Sequence, residues 1–364
     1  MYFTEYVFDM HPYSFAMLLK FDPYGIYCPQ ADVYIDPWRP VKNAIITHAH
    51  SDHAKWGNEN YLSHRMSVPI LKFRLGENIQ VRGVEYGDVI NMNGVRISLH
   101  PAGHIPGSAQ VRLEYKGEIW VASGDYKLQQ DEISTAFEPI RCQHFVTEST
   151  FGLPVYRFPD ARQTHADINN WWKKNKEEGK ASVIIGYALG KAQRIIKHLD
   201  PEIGTIYTHG AVDNLNRLLT KNGLELPPTM RVAGDTTKNI FKGNIIVAPP
   251  SAIGTPWLKR FDPYSVAICS GWMQLRGTRR RKSADRGFVL SDHADWDGLN
   301  TAVKETGAEH VYVTHGYKSV FAKWLREELK INAVEVDTLY EGESLNEGEV
   351  KDSNETDPEY EEVR

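Results

Sequence analysis

Between residues 44 and 53 the chain reads Ala-Ile-Ile-Thr-His-Ala-His-Ser-Asp-His, a β-branched run that stops on three histidines and an aspartate. That mixture suits borderline divalent cations, which take imidazole and carboxylate donors together. Where such a segment leaves a strand, His48 and His50 can face one point while Asp52 and His53 turn toward a neighbouring one. A single loop can then serve two adjacent metals. Three further donors follow apolar runs. His104 lies in Pro-Ala-Gly-His-Ile-Pro-Gly-Ser (101–108), where glycine permits close backbone approach. Asp125 follows Ala-Ser-Gly and could bridge two cations, and His315 closes Val-Tyr-Val-Thr-His. Each alone reads as an ordinary structural residue, and a polar surface loop is the competing account of 48–53. The chemistry that two such cations serve is hydrolysis: water made acidic near neutral pH, and negative charge neutralised as it builds up.

The elements that must position these donors are legible in outline. Strands are expected at residues 32–36, 44–47, 81–86, 95–101, 109–115, 119–123 and 144–147. Turns carrying Gly94 and Gly117 join two pairs of these as hairpins, so the sheet is not simply doubly wound. From about residue 160 the pattern becomes α/β. Helical spacing at 161–178 and 191–199 is followed by strand-like runs at 181–186 and 205–208. Two more β runs, 244–248 and 266–270, lead into a basic loop; strand, helix, strand and helix follow at 287–291, 297–306, 310–314 and 319–330.

At 364 residues the chain exceeds the usual single domain, so two domains or one with a large insertion are expected. Hydrophobic residues at 41% with 28 glycines match a globular chain and exclude wholesale disorder. The sequence carries no apolar run of membrane-spanning length, and its first residues lack the pattern of a secretory signal, so cytoplasmic residence is expected. The cysteines, Cys28, Cys142 and Cys269, are far apart and include no Cys-x-x-Cys pair. Any metal must therefore be held by histidine and carboxylate. Residues 341–364 form an acidic, apolar-poor tail expected to be disordered, and the rest of the chain is slightly basic although the whole carries a net charge of −5.

The order H-x-H-x-D-H, a Gly-His loop, Ser-Gly-Asp and a late Thr-His-Gly resembles the metallo-β-lactamase superfamily. The resemblance implies an αββα sandwich binding two divalent ions, Zn²⁺ expected with Mn²⁺ as the alternative. It puts His48, His50 and His104 on one metal and Asp52, His53 and His315 on the other, with Asp125 bridging. Asp36 would brace the ligand loop from behind, although before Pro37 it reads equally as a turn residue. Glu148 in Phe-Val-Thr-Glu-Ser-Thr-Phe-Gly (145–152) and His293 in Leu-Ser-Asp-His-Ala-Asp-Trp (290–296) are similar to motifs of the nucleic-acid-processing β-CASP branch. That branch carries a long insertion as a cap. The implied organisation is a discontinuous catalytic domain, 1–152 and 288–340, an α/β cap at 153–287, and the tail 341–364. Within the cap, residues 186–194, Gly-Tyr-Ala-Leu-Gly-Lys-Ala-Gln-Arg, look like the branch's Gly-basic-x-Gln/Glu helix start; an ordinary strand-to-helix turn explains them as well.

The implied reaction is two-metal hydrolysis of a phosphodiester, with Asp52, Asp125, Glu148 and His293 in the reacting centre. Glu148 would orient His293 and stabilise its protonated form, so that His293 acts as general acid or holds a phosphate. Products would carry a 5′-phosphate and a 3′-hydroxyl. The basic loop with Arg276, Arg279, Arg280, Arg281 and Lys282 is the densest positive patch and reads as a phosphate contact, joined by Lys191 and by Trp272 as a stacking platform. A solvated charge run is the plain alternative. A histidine at position 315 resembles RNA-processing members, whereas Gly190-Lys191, Gly271-Trp272 and Ser291-Asp-His293 look like the DNA group. From about residue 18 to 340 the chain most resembles bacterial DNA ligase-associated exonucleases. DNA is thus the expected substrate, in repair, with a DNA ligase and a helicase as functional associates and Met17 as a candidate start. A β-CASP ribonuclease, a non-catalytic nucleic-acid-binding scaffold and a small-molecule hydrolase are the other readings.

Overall fold

The architecture is described from a computed structural model, covering residues 17–233, 238–275 and 284–340. The first sheet runs in chain order through β1 (Lys20–Asp22), β2 (Gly25–Cys28), β3 (Val33–Ile35), β4 (Asn43–Ile45), β5 (Asn60–His64) and β6 (Val81–Val84). β1, β2 and β3 pair antiparallel, and β3 to β6 pair parallel, with helix α1 (Val68–Leu75) crossing between the last two. A second sheet follows with β7 (Ile90–Met92), β8 (Val95–Pro101), β9 (Ala109–Tyr115) and β10 (Glu118–Ala122) as an antiparallel meander and β11 (His144–Ser149) parallel to β10. Two of its hairpins turn at Asn93-Gly94 (φ 50° and 85°) and Lys116-Gly117 (φ 51° and 86°). Two consecutive left-handed residues give the turn whose twist matches a hairpin, and glycine takes the second place without a Cβ penalty. The Gly94 turn joins β7 to β8, not residues 81–86 to 95–101 as the sequence pattern suggests.

The chain then builds a third sheet. Around it lie α2 (Ala161–Glu177), β12 (Ala181–Ile185), α3 (Lys191–Lys197), β13 (Ile206–Thr208), α4 (Gly210–Lys221), β14 (Thr229–Arg231), β15 (Ile245–Ala248), β16 (Tyr264–Cys269) and β17 (Arg286–Phe288). The strands are all parallel, in the order β14-β13-β15-β12-β16-β17. Every residue of β12 and β15 is buried, as expected when parallel strands are covered on both faces. Finally α5 (Trp296–Thr306), β18 (His310–Gly316), α6 (Lys318–Glu327) and β19 (Asn332–Glu335) return to the second sheet. There β18 pairs parallel with β11, and β19 forms the edge.

Apolar side chains decide the stacking. Ile26, Ile35, Ile45 and Leu62 of the first sheet meet Val95, Ile97, Leu113 and Trp120 of the second in one core. The opposite face of the second sheet, through Val121, Phe145, Val311 and Val313, packs on Leu299, Val303, Phe321 and Leu325 of α5 and α6. Ile46 and Tyr61 pack on Ile70 and Leu71 of α1, and Leu215 and Leu219 of α4 join that cluster, tying the third sheet's helices to the first sheet. No helix among the described residues is long and apolar enough to cross a membrane.

Candidate metal centre

Asp36 follows β3 at a left-handed φ of 44°, a conformation aspartate tolerates better than most side chains. Its carboxylate faces the loop that leaves β4. Oδ1 accepts the Thr47 N–H at 2.7 Å, and Oδ2 accepts the Thr47 hydroxyl at 2.5 Å and His53 Nδ1–H at 2.8 Å. All of this is buried, so the loop is fixed by one carboxylate before any ligand binds.

From that loop and three strand ends, side chains converge on Asp125. Donor atoms of His48, His50, His104 and Asp125 lie within 4.8 Å of one another, as do those of His53, Asp125 and His315. Asp125 belongs to both groups. Its Oδ2 is 3.5 Å from both His48 Nε2 and His53 Nε2, and its Oδ1 is 3.0 Å from His315 Nε2. Asp52 stands further out, with Oδ2 at 3.6 Å from His53 Nε2 and a side chain 18% exposed. A third group, Asp125, Glu148 and His293, adjoins these two. Glu148 Oε1 accepts the Tyr126 N–H at 2.8 Å, and both its oxygens lie within 3.1 Å of His293 Nδ1, which is itself 4.0 Å from Asp125 Oδ2.

The outward nitrogens of the imidazoles fix their tautomers. The Thr47 hydroxyl gives its one proton to Asp36, so at 3.0 Å it accepts from His48 Nδ1, leaving the Nε2 lone pair facing inward. Thr314 repeats the device: its hydroxyl donates to the Thr147 carbonyl and accepts from His315 Nδ1 at 3.3 Å. His104 Nδ1 donates to the Asp292 carbonyl at 2.8 Å, and His50 Nε2 to the Leu189 carbonyl at 3.1 Å. The inward atoms His48 Nε2, His53 Nε2, Asp125 Oδ1 and His315 Nε2 are buried with no hydrogen-bond partner. Buried polar atoms left this way are costly unless something else engages them. Neutral imidazole lone pairs plus a shared carboxylate, each oriented by an outer hydrogen bond, fit a divalent metal site.

The electrostatics agree for the three histidines of the first group. Burial, with His53 and the neighbouring imidazoles, holds His48 well below the usual histidine range; burial and then His293 and His50 do the same for His104, and burial lowers His50. These three are neutral donors. Burial opposes a charge on His53, but Asp125 and Asp52 outweigh it and raise it well above the usual value. Burial likewise opposes ionisation of Asp125, yet His53, His315 and His293 hold its carboxyl well below the usual range.

Sequence reasoning missed Tyr340. Its ring stacks on His53 at 4.3 Å and 11°, and its hydroxyl donates to the Asp36 carbonyl at 3.1 Å. It also missed Thr47 and Thr314, although both precede a donor histidine in a Thr-His pair after a β-branched run. Two expected nucleic-acid contacts lie elsewhere. Lys191 is fully buried with Nζ at 3.4 Å from Asp292, and Trp272 is enclosed among Phe151 and Tyr156. The first is engaged in a buried ion pair and the second in aromatic packing, so neither lies on the surface. Arg276, Arg279, Arg280, Arg281 and Lys282 lie outside the described residues, as does the acidic tail. A cleft of about 350 Å³ opens beside His293, lined by Lys127, Gln129, Phe158, Ser291 and Asp295 among others.

No protein-family model matches the chain. It is 29% identical over 307 residues to a probable DNA ligase of Opitutus terrae, covering 84% of this chain and 30% of that protein. It is 24% identical over 222 residues to the endoribonuclease YSH1 of Gibberella zeae, covering 55% of this chain and 26% of that one. These alignments accompany the donor order and its convergence on Asp125. These relatives are β-CASP nucleases of the metallo-β-lactamase superfamily, and the chain is similar to them. The chain spans less than a third of the length of either curated relative. A crystal structure of a protein of unknown function from Enterococcus faecalis shares its fold with a TM-score of 0.56 at 13% identity, covering 80% of this chain and 78% of that one.

Proposed function

We propose that the protein is a two-metal phosphodiester hydrolase acting on DNA, an exonuclease that digests single-stranded or frayed ends in repair. The observation that carries this reading is the Glu148–His293 pair set beside Asp125, the carboxylate common to both donor groups. On this reading His48, His50 and His104 hold one ion, His53, Asp52 and His315 the other, and Asp125 both, with Zn²⁺ as the first candidate and Mn²⁺ as the second. Ions bound there supply acidified water and charge neutralisation on the phosphate. Residues 1–152 with 288–340 form the catalytic domain, and the parallel sheet built from 153–287 is the β-CASP cap.

The chain's own groups do the rest. Glu148, fixed by the Tyr126 N–H, holds the proton on His293 Nδ1 and favours the imidazolium. His293 then donates its Nε2 proton to the leaving 3′-oxygen, giving a 5′-phosphate and a 3′-hydroxyl. Asp36, Thr47 and Thr314 keep the imidazoles aligned throughout. The basic run 276–282 neutralises the backbone phosphates of the strand.

The ligase named among the relatives supports a DNA substrate and an association with a ligase; the resemblance adds a helicase. RNA is the second reading, favoured by the endoribonuclease among the relatives and by a histidine at position 315. The deciding assay uses 5′- and 3′-labelled single- and double-stranded DNA and RNA with Zn²⁺, Mn²⁺ or chelator. Stepwise metal-dependent loss of single-stranded DNA is expected. Cleavage of RNA alone, or turnover undiminished by chelator, would overturn the proposal.

A further inference from the structure

Two of the three imidazoles in the His48–His50–His104 group are not anchored by the sheets that present them. The outer nitrogen of His50 rests on the Leu189 carbonyl, and that of His104 on the Asp292 carbonyl. Leu189 lies in the loop entering α3, and Asp292 follows β17 of the third sheet. Arg194 of α3 joins these pieces. It is fully buried, pairs with both Asp131 and Asp292, and donates from Nη2 to the His104 carbonyl at 2.8 Å. Gln193 fixes the loop itself, accepting the Gly190 N–H at 2.7 Å and donating to the Ala188 carbonyl at 2.9 Å. Gly190 has a φ of +90°, and a Cβ there would overlap the Ile105 side chain, so this residue lets the loop press against the neighbour of His104.

A buried guanidinium shared by two carboxylates is expensive to desolvate, and hydrophobic residues would pack the same space at lower cost. Its arrangement here is spent on one peptide carbonyl and on the segment that orients one imidazole. Groups behind the ligands set imidazole orientation and basicity, and removing one such partner commonly lowers metal affinity about 10- to 100-fold. We propose that residues 186–197 form the outer wall of the His48–His50–His104 metal site, with Arg194 as a positioning residue that couples its metal affinity to docking of the third-sheet segment. The inference rests on the metal-site reading above and adds which part of the chain controls that site. Because coupling between two events is reciprocal, metal binding must in turn tighten the seating of 186–197.

The experiment begins with metal content and affinity of the wild-type full chain, by elemental analysis and chelator competition with Zn²⁺. A wild type that binds no Zn²⁺ would sink the metal-site reading itself, and the inference with it. Given binding, Arg194→Met is expected to weaken one of two Zn²⁺ ions about 10- to 100-fold while the other holds, with Arg194→Lys restoring part of the loss. Wild-type affinity for both ions in a folded Arg194→Met protein would overturn the inference and leave the metal reading standing. Hydrogen exchange on the unmutated protein tests the reciprocal side whatever the fate of the variant. Amides of 186–197 should exchange faster after chelation, and identical exchange with and without Zn²⁺ would count against the coupling.

Discussion

At the residue scale, the centre is a set of acceptors prepared by donors placed one layer further out. His293, like His53 on Asp36, has a carboxylate partner where His48, His50, His104 and His315 have a hydroxyl or a carbonyl, and Glu148 presents both of its oxygens to it. A histidine held this way is suited to carry a proton to a leaving group. His293→Ala is therefore expected to keep metal stoichiometry while turnover falls by about 10²- to 10⁴-fold. Metal analysis alongside single-turnover kinetics checks it, and wild-type kinetics in the metal-loaded variant would refute the general-acid role. Most of the donors themselves were legible in the sequence, because histidine and aspartate are scarce enough for H-x-H-x-D-H to stand out. Their supports were not: the carbonyls of Leu189 and Asp292 carry no side-chain signature, and Tyr340 reaches Asp36 across 304 positions of chain.

At the element scale, the donors depend on strand ends held in register. β11 and β18 pair from His144 to Ser149 with an irregularity at Thr147/Ser149, and Gly316 sits there with φ +90°, where a Cβ would overlap the Ser149 carbonyl. Gly316→Ala should cost roughly 1–3 kcal/mol in backbone strain alone and pull His315 away from Asp125. Thermal melting and metal stoichiometry report the two effects separately. Between α2 and α3, the His165 ring lies tilted against that of His198 at 4.0 Å, and burial, then His198 and Arg194, pushes it down to about 3. Its unfolded value is near 6.5, so between those limits the unfolded chain takes up a proton that the folded chain refuses. Stability therefore falls as pH drops from about 6.5 toward 3, by at most about 1.4 kcal/mol per pH unit from this group. Urea midpoints of His165→Phe at pH 7 and pH 5 should lie closer together than those of wild type; an unchanged gap would contradict the assignment. The alternating strands and the amphipathic α2 were readable in advance. β5 was not, since Ser63 and His64 are polar yet buried, and neither was α4, whose buried Asp213 and Asn216 interrupt its apolar stripe.

At the scale of the whole molecule, segments flanking the third sheet serve the site twice: the approach to α2 and the residues after β17 line the cleft beside His293, and the Leu189 and Asp292 carbonyls support His50 and His104. The sheet's parallel topology was half visible: the fully apolar strands 181–185 and 245–248 announce a doubly covered sheet, but nothing in a sequence states that β15 separates β12 from β13. The basic run 276–282 is expected to set salt dependence. Replacing Arg279, Arg280 and Arg281 by glutamine should flatten the slope of log affinity against log salt for single-stranded DNA by about 0.7 for every phosphate no longer neutralised. Binding titrations across a salt series measure this directly, and an unaltered slope would remove the run from the interface. The donors are spread from His48 to His315, and Tyr340 presses its ring against His53 from beyond them all. A polypeptide still emerging from the ribosome thus lacks its final imidazole and the aromatic stopper behind it.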